Sequence, residues 1–124
     1  MNTPLCLIVD DEPAIRTYLS MILQHRGIQS LEAENAVEAL RVLQRLGGRI
    51  DLLITDIEMP GDMDGVDLAY SVKNLFFGVP LILISGSAEN APGGFAFVRK
   101  PFRTEVILEA IDKAMIKTGA GSAR

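Results

Sequence analysis

Short apolar runs punctuate the chain, and stretches with a helical period lie between most of them. Leu5-Cys6-Leu7-Ile8-Val9 is unbroken hydrophobic and ends in Asp10-Asp11, the pattern of a strand covered on both faces. Pro13 then opens a segment in which Ile15, Leu19 and Ile22 recur at i, i+4 and i+7, and Gly27 closes it. Proline at the start and glycine past the end are helix punctuation. A weaker strand follows at residues 28–33. Asn35 and Glu38 make an Asn-x-x-Glu capping pattern ahead of Ala36, Leu40 and Leu43, and Gly47-Gly48 stop that helix. Leu52-Leu53-Ile54-Thr55 is the next buried strand, and residues 59–65 form a turn rich in Pro, Gly and Asp. Leu68, Val72 and Leu75 lie on one face of a third helix; residues 80–84 and 95–98 read as strands. Ile107, Ile111 and Ala114 align on a last helix over Thr104–Lys117.

Alternation of apolar strands with amphipathic helices predicts an α/β fold, a parallel sheet with helices on both faces. Right-handed crossovers and this element count select the flavodoxin-like, doubly wound five-stranded order 2-1-3-4-5. The 124 residues fit one domain. Residues 1–118 are expected to form it, and the small, polar residues 119–124 a flexible tail or linker stub. Twelve Lys and Arg against sixteen Asp and Glu give a net charge of −4, which argues against direct nucleic-acid binding through phosphates. A single cysteine, Cys6, implies no oxidising compartment, and no apolar run approaches the ~20 residues of a membrane span. The expectation is a soluble, cytoplasmic domain.

Ligands of such sheets sit beyond the carboxyl ends of the strands, at the switch point between strands 1 and 3. Strand 1 ends in Asp10-Asp11 with Glu12 next, strand 3 at Asp56 and strand 4 at Ser85, and strand 5 is followed by Lys100-Pro101. Taken alone, each aspartate also reads as a helix cap or turn former, Ser85 before Gly86 as a turn residue, and Lys100 as a solvated cation. Taken together, they place three carboxylates, a hydroxyl and an amine at one rim. Clustered carboxylates repel, and a hard divalent cation such as Mg²⁺ relieves that repulsion. Metal, lysine and hydroxyl then suit transfer of a phosphoryl group onto a carboxylate, with Asp56 the best-placed nucleophile.

Val9-Asp10-Asp11-Glu12, Thr55-Asp56-Ile57-Glu58-Met59-Pro60, Met63-Asp64-Gly65, Ser85-Gly86 and Lys100-Pro101-Phe102, in this order, resemble a bacterial two-component response-regulator receiver domain. The resemblance spans residues 4–117. It implies that Asp56 takes a phosphoryl group from a phosphohistidine on a sensor histidine kinase or histidine phosphotransfer protein. It also implies that Asp11, Asp56 and the backbone carbonyl of Glu58 bind Mg²⁺ directly and Asp10 through water. Lys100 would pair with Asp56 and then the phosphate, Ser85 would turn toward the phosphate, and Phe97 would be an aromatic switch acting on a downstream partner that the sequence does not name.

Two departures stand out. The loop Met59-Pro60-Gly61-Asp62-Met63-Asp64-Gly65 is one residue longer than the family's usual form, which predicts a re-shaped turn. Fourteen residues separate Ser85 from Lys100; after a fifth strand, residues 86–94 are shorter than a mean helix of ~11 residues and hold three glycines and Pro92. The helix between strands 4 and 5 is therefore expected to be absent or reduced to a turn. Phe76 and Phe77 read as packing or turn anchors, Met59 and Met63 as gap fillers, and His25 as a helix-end residue. Two other functions use the same residues: a small phosphohydrolase working through an aspartyl-phosphate, and a receiver-like interaction module that is never phosphorylated.

Overall fold

The computed structural model describes residues 3–87 and 91–117. Among these described residues nine elements follow one another: β1 (Leu5–Val9), α1 (Pro13–His25), β2 (Gln29–Ala33), α2 (Ala36–Leu46), β3 (Leu52–Asp56), α3 (Gly65–Leu75), β4 (Leu81–Ser85), β5 (Ala96–Arg99) and α4 (Thr104–Lys117). The strands form one parallel sheet in the order β2-β1-β3-β4-β5. The predicted architecture and order hold, with β4 and β5 each starting one residue later than their apolar runs do.

Helices on both faces bury the sheet in two layers. Cys6, Ile8, Ile54, Ile82 and Ile84 meet Leu19, Leu23, Ile107 and Ile111 of α1 and α4. Leu7, Val9 and Leu53 meet Ala39, Leu43, Leu68 and Val72 of α2 and α3. Alternate residues of each central strand thus face opposite layers, which is why these strands read as continuous apolar runs. Asp10 and Asp56 stand at the carboxyl ends of β1 and β3 because the register pairs Val9 with Thr55.

The local signals do what their chemistry predicts. Asn35 Oδ1 accepts from the Glu38 N–H at 2.8 Å, and Glu38 reaches back to the Glu34 N–H at 2.9 Å. Gly47 ends α2 at φ 62°, a left-handed conformation that glycine adopts without a Cβ penalty. The lengthened β3–α3 loop is closed by a reciprocal capping box that the sequence reading did not anticipate. Asp64 accepts from the Asp67 N–H at 2.9 Å and Asp67 from the Asp64 N–H at 3.1 Å. An Asp-x-x-Asp pattern before an apolar period was its signal. Met59 and Met63 pack against the α2–α3 layer as gap fillers.

Among the described residues no helix lies between β4 and β5, so the C-terminal helix is the fourth in chain order. Residues 88–90 of that connection, and the tail at 119–124, lie outside the described residues. On this flank Phe95 and Phe97 cover Ile57, Ala69 and Leu83, and the Phe95 ring meets Tyr70 edge-on at 5.3 Å. A groove of about 810 Å³, lined by Phe77, Phe97, Val106 and Ile116 among others, runs beside β5. The expectation for the Phe76-Phe77 pair divides here. Phe76 packs into the α2–α3 layer, whereas Phe77 is 93% exposed and anchors nothing. Phe76 is the C-cap residue of α3 and Phe77 the first residue beyond it, so consecutive side chains leave the helix in different directions.

Candidate functional site

The β1 end turns sharply into α1. Asp10 Oδ1 accepts the Glu12 N–H at 2.9 Å, an Asx turn that starts the helix in place of a side-chain cap from Glu12. The turn-former reading of Asp10 is therefore correct and incomplete, because its other oxygen, Oδ2, is buried and faces the ammonium of Lys100. Asp56 Oδ1 is in the same condition. Asp10, Asp11 and Asp56 bring one carboxylate oxygen each to within 4.8 Å of one another, with Asp11 the exposed member.

Lys100 lies over this group. Its backbone N–H donates to the Ser85 carbonyl at 2.7 Å, which ties it to the end of β4, and the peptide to Pro101 is cis. Its Nζ stands 3.0 Å from Asp10 Oδ2, 3.3 Å from Glu12 Oε1 and 3.4 Å from Asp56 Oδ1. The anticipated Lys100–Asp56 pair exists, and Asp10 is the nearer partner. Glu12, assigned no role in advance, is the third.

Electrostatics follow from this crowding. Burial, then the Asp10 charge, pushes the Asp56 carboxyl up to about 7 against the pull of Lys100. Asp10 is also raised, mainly by burial, with the Glu12 N–H and Lys100 opposing. Burial alone would lower Lys100; its hydrogen bond and charge interaction with Asp10, then the Asp56 charge, raise it instead. One cation does not neutralise two buried carboxylates and an exposed third. Buried carboxylate oxygens that share a single ammonium, and an excess of negative charge, are what a small divalent cation would satisfy, so the donor set fits Mg²⁺.

Ser85, fully buried at the end of β4, donates to Glu58 Oε2 at 2.6 Å and Oε1 at 2.8 Å. Only the backbone carbonyl of Glu58 had been given a role; its side chain is a second participant. Glu58 follows the strand end at Asp56 by two residues, and that short separation was the available signal. Phe97 is not brought into the polar cluster; its ring packs with Ile57, Ala69 and Leu83. Beside the carboxylates an open cleft of about 760 Å³ is lined by Asp11, Ile57, Glu58, Met59, Asp64 and Asp67, among others.

This fold and rim define a class of phosphoacceptor signalling domains, and comparison with known proteins agrees. The family described as response regulator receiver domain matches residues 6–112, and the chain belongs to it. It is 33% identical to the sensor kinase CckA of Brucella abortus (strain 2308) over 90% of this chain and 12% of that protein. It is 34% identical to the transcriptional regulatory protein GlrR of Escherichia coli (strain K12) over 88% of this chain and 26% of that protein. The chain thus spans about a quarter of the length of one of these relatives and about an eighth of the other. Among solved structures, the response regulator protein TrrA of Thermotoga maritima, in complex with Mg²⁺-BeF, superposes with a TM-score of 0.79 at 32% identity. That match covers 90% of this chain and 98% of the other. The chain is a receiver domain of the two-component type, and among its described residues no helix is long and apolar enough to cross a membrane.

Proposed function

We propose that Asp56 is the phosphoacceptor, taking a phosphoryl group from a phosphohistidine of a sensor histidine kinase or histidine phosphotransfer protein, on the cytoplasmic side of the cell. Residues 1–118 form the receiver unit, and the switched state acts on a downstream partner. The observation that carries this reading is the pair of buried oxygens on Asp10 and Asp56 that share one ammonium, Lys100 Nζ lying within 3.4 Å of both.

An Asp56 carboxylate oxygen attacks phosphorus in line. The new bond is an acyl phosphate, the phosphorus–nitrogen bond of the donor breaks, and its electron pair returns to the imidazole, which takes a proton. Lys100, already between Asp10 and Asp56, offsets charge on the transferring group. Asp11, Asp56 and the Glu58 backbone carbonyl would hold Mg²⁺, with Asp10 acting through water. Bound there, the metal supplies positive charge to the phosphoryl oxygens. Ser85 donates to a phosphoryl oxygen, and Phe97 relays the change along β5. The chain's own chemistry is at most self-catalysed phosphorylation and dephosphorylation.

Incubation with acetyl phosphate and Mg²⁺, followed by mass spectrometry, checks this. Wild type gains one base-labile phosphoryl group and Asp56→Ala gains none. Equal incorporation by Asp56→Ala would overturn the assignment.

A further inference from the structure

Ser85 carries one proton, and several acceptors surround it. Glu58 Oε2 is 2.6 Å away, Glu58 Oε1 2.8 Å and the Ser87 carbonyl 3.0 Å, while the Ser87 N–H donates to Ser85 Oγ at 2.9 Å. A charged acceptor at the shortest distance takes the proton. The backbone of Ser85 is held: its carbonyl accepts from Lys100, and its neighbour Ile84 accepts from the Ile57 N–H at 2.8 Å. The hydroxyl can therefore be redirected only by rotation of its own side chain. Glu58 is exposed on the loop after β3, so water can take the place of Ser85 at its carboxylate.

We propose that the Glu58 side chain is a latch on the switch serine. It holds the Ser85 hydroxyl in the unphosphorylated protein and sets how much phosphoryl-group binding is needed to turn it. Two anions compete for one proton, the Glu58 carboxylate and the phosphoryl group on Asp56, so phosphorylation must displace the first to recruit the hydroxyl. Glu58 is a positioning residue, acting through Ser85. The equilibrium between latched and turned serine fixes the affinity of the activated state, and the Glu58 side chain biases it. This inference rests on Asp56 being the phosphoacceptor.

The test is calorimetric titration with beryllofluoride, a stand-in for the phosphoryl group on a carboxylate, at saturating Mg²⁺. Glu58→Ala, Glu58→Gln, Ser85→Ala and the Glu58→Ala/Ser85→Ala double variant are compared with wild type. Glu58→Ala should bind about tenfold more tightly, the factor of one modest charge-assisted hydrogen bond released. In the Ser85→Ala background the same substitution should change affinity less than about twofold, because no proton remains to compete for. Glu58→Gln keeps a neutral acceptor, so its gain should fall between wild type and Glu58→Ala.

An undiminished gain without Ser85 would overturn the latch and leave simple charge repulsion. So would equal gains from Gln and Ala, and this arm stands even if Ser85→Ala does not fold. Unchanged or weaker binding by Glu58→Ala would overturn it as well. Asp56→Ala binding beryllofluoride as wild type does would instead sink the phosphoacceptor reading itself.

Discussion

Ile54 and Asp56 lie two residues apart on β3, and both are buried. Ile54 is surrounded by Cys6, Leu19, Ile82 and Ile84, so its burial is favourable in every respect. Asp56 occupies the same ladder one step beyond the apolar layer, beside a second buried carboxylate and one shared lysine. Its carboxyl is pushed up to about 7, first by burial and then by Asp10. The body of the strand stabilises the fold, and its end is a position that a free carboxylate would avoid. The backbone ladder of β1, β3 and β4 links the two, because the register that packs Ile54 also fixes Asp56. Substitutions should accordingly act with opposite signs at these neighbours.

The largest effect is expected in the body. Ile54→Ala removes a fully buried side chain from the α1–α4 layer and should lower unfolding free energy by about 2–5 kcal/mol. A denaturant midpoint shifted by less than that would mean the layer collapses into the cavity. The strand end comes next, with the reverse sign. In the metal-free protein Asp56 keeps its proton up to about pH 7, whereas an unfolded aspartate releases it near 3.8. Between those values the folded state binds more protons, so stability should fall as pH rises from about 4 to about 7, then level off. A shift of about three units corresponds to at most about 4 kcal/mol. Asp56→Asn should flatten this slope and exceed wild type in stability at pH 8 with chelator present. Identical slopes in the two proteins would erase the contrast between strand body and strand end.

The fold was largely legible because apolar runs and helix punctuation are local signals; Leu5–Val9 and Thr104–Lys117 follow them to the residue, and α1 starts at Pro13 and ends at His25, just before Gly27. The rim was legible for a different reason. Topology dictates that strand ends 1, 3, 4 and 5 converge, so Asp10, Asp11, Asp56, Ser85 and Lys100 could be placed without coordinates. Partner choice inside the rim was not legible. Whether Lys100 lies nearer Asp10 or Asp56, and whether Ser85 faces Glu58, depends on rotamers that no periodicity encodes. Phe77 illustrates the same limit from outside: a phenylalanine after a helix reads as an anchor, and only the exit direction of the chain leaves it 93% exposed. The Asp64–Asp67 box did carry a local signal, an Asp-x-x-Asp pattern ahead of an apolar period.

A smaller effect should appear where steric packing of the body type reaches the strand end. A Cβ on Gly65 would sit 1.9 Å from the Asp56 carbonyl oxygen and 2.8 Å from the Ile57 Cα, both backbone. The first turn of α3 must therefore withdraw or β3 must bend, and overpacking of this kind costs about 1–3 kcal/mol. Gly65→Ala should lower both the melting temperature and the rate of acetyl-phosphate labelling. Lost stability with an unchanged labelling rate would show that α3 yields and Asp56 does not.

The smallest effect uses two ion pairs of equal length to isolate burial itself. Arg26 Nη2 meets Asp112 Oδ2 at 3.0 Å, joining α1 to α4, and Lys100 Nζ meets Asp10 Oδ2 at 3.0 Å. The side chains are 44% and 49% exposed in the first pair and 16% and 0% in the second. Distance gives the two the same Coulomb attraction only if the medium is the same. Water and salt surround Arg26 and Asp112, so screening and the ordering of the long Arg26 side chain offset most of what their attraction provides. A double-mutant cycle of Arg26→Ala and Asp112→Ala should give a coupling below about 0.5 kcal/mol at low salt, fading further at molar salt as the Debye length shrinks to ~3 Å. A coupling above about 1 kcal/mol that survives high salt would place this surface pair in the same regime as the rim, and burial could no longer explain why charges behave differently there.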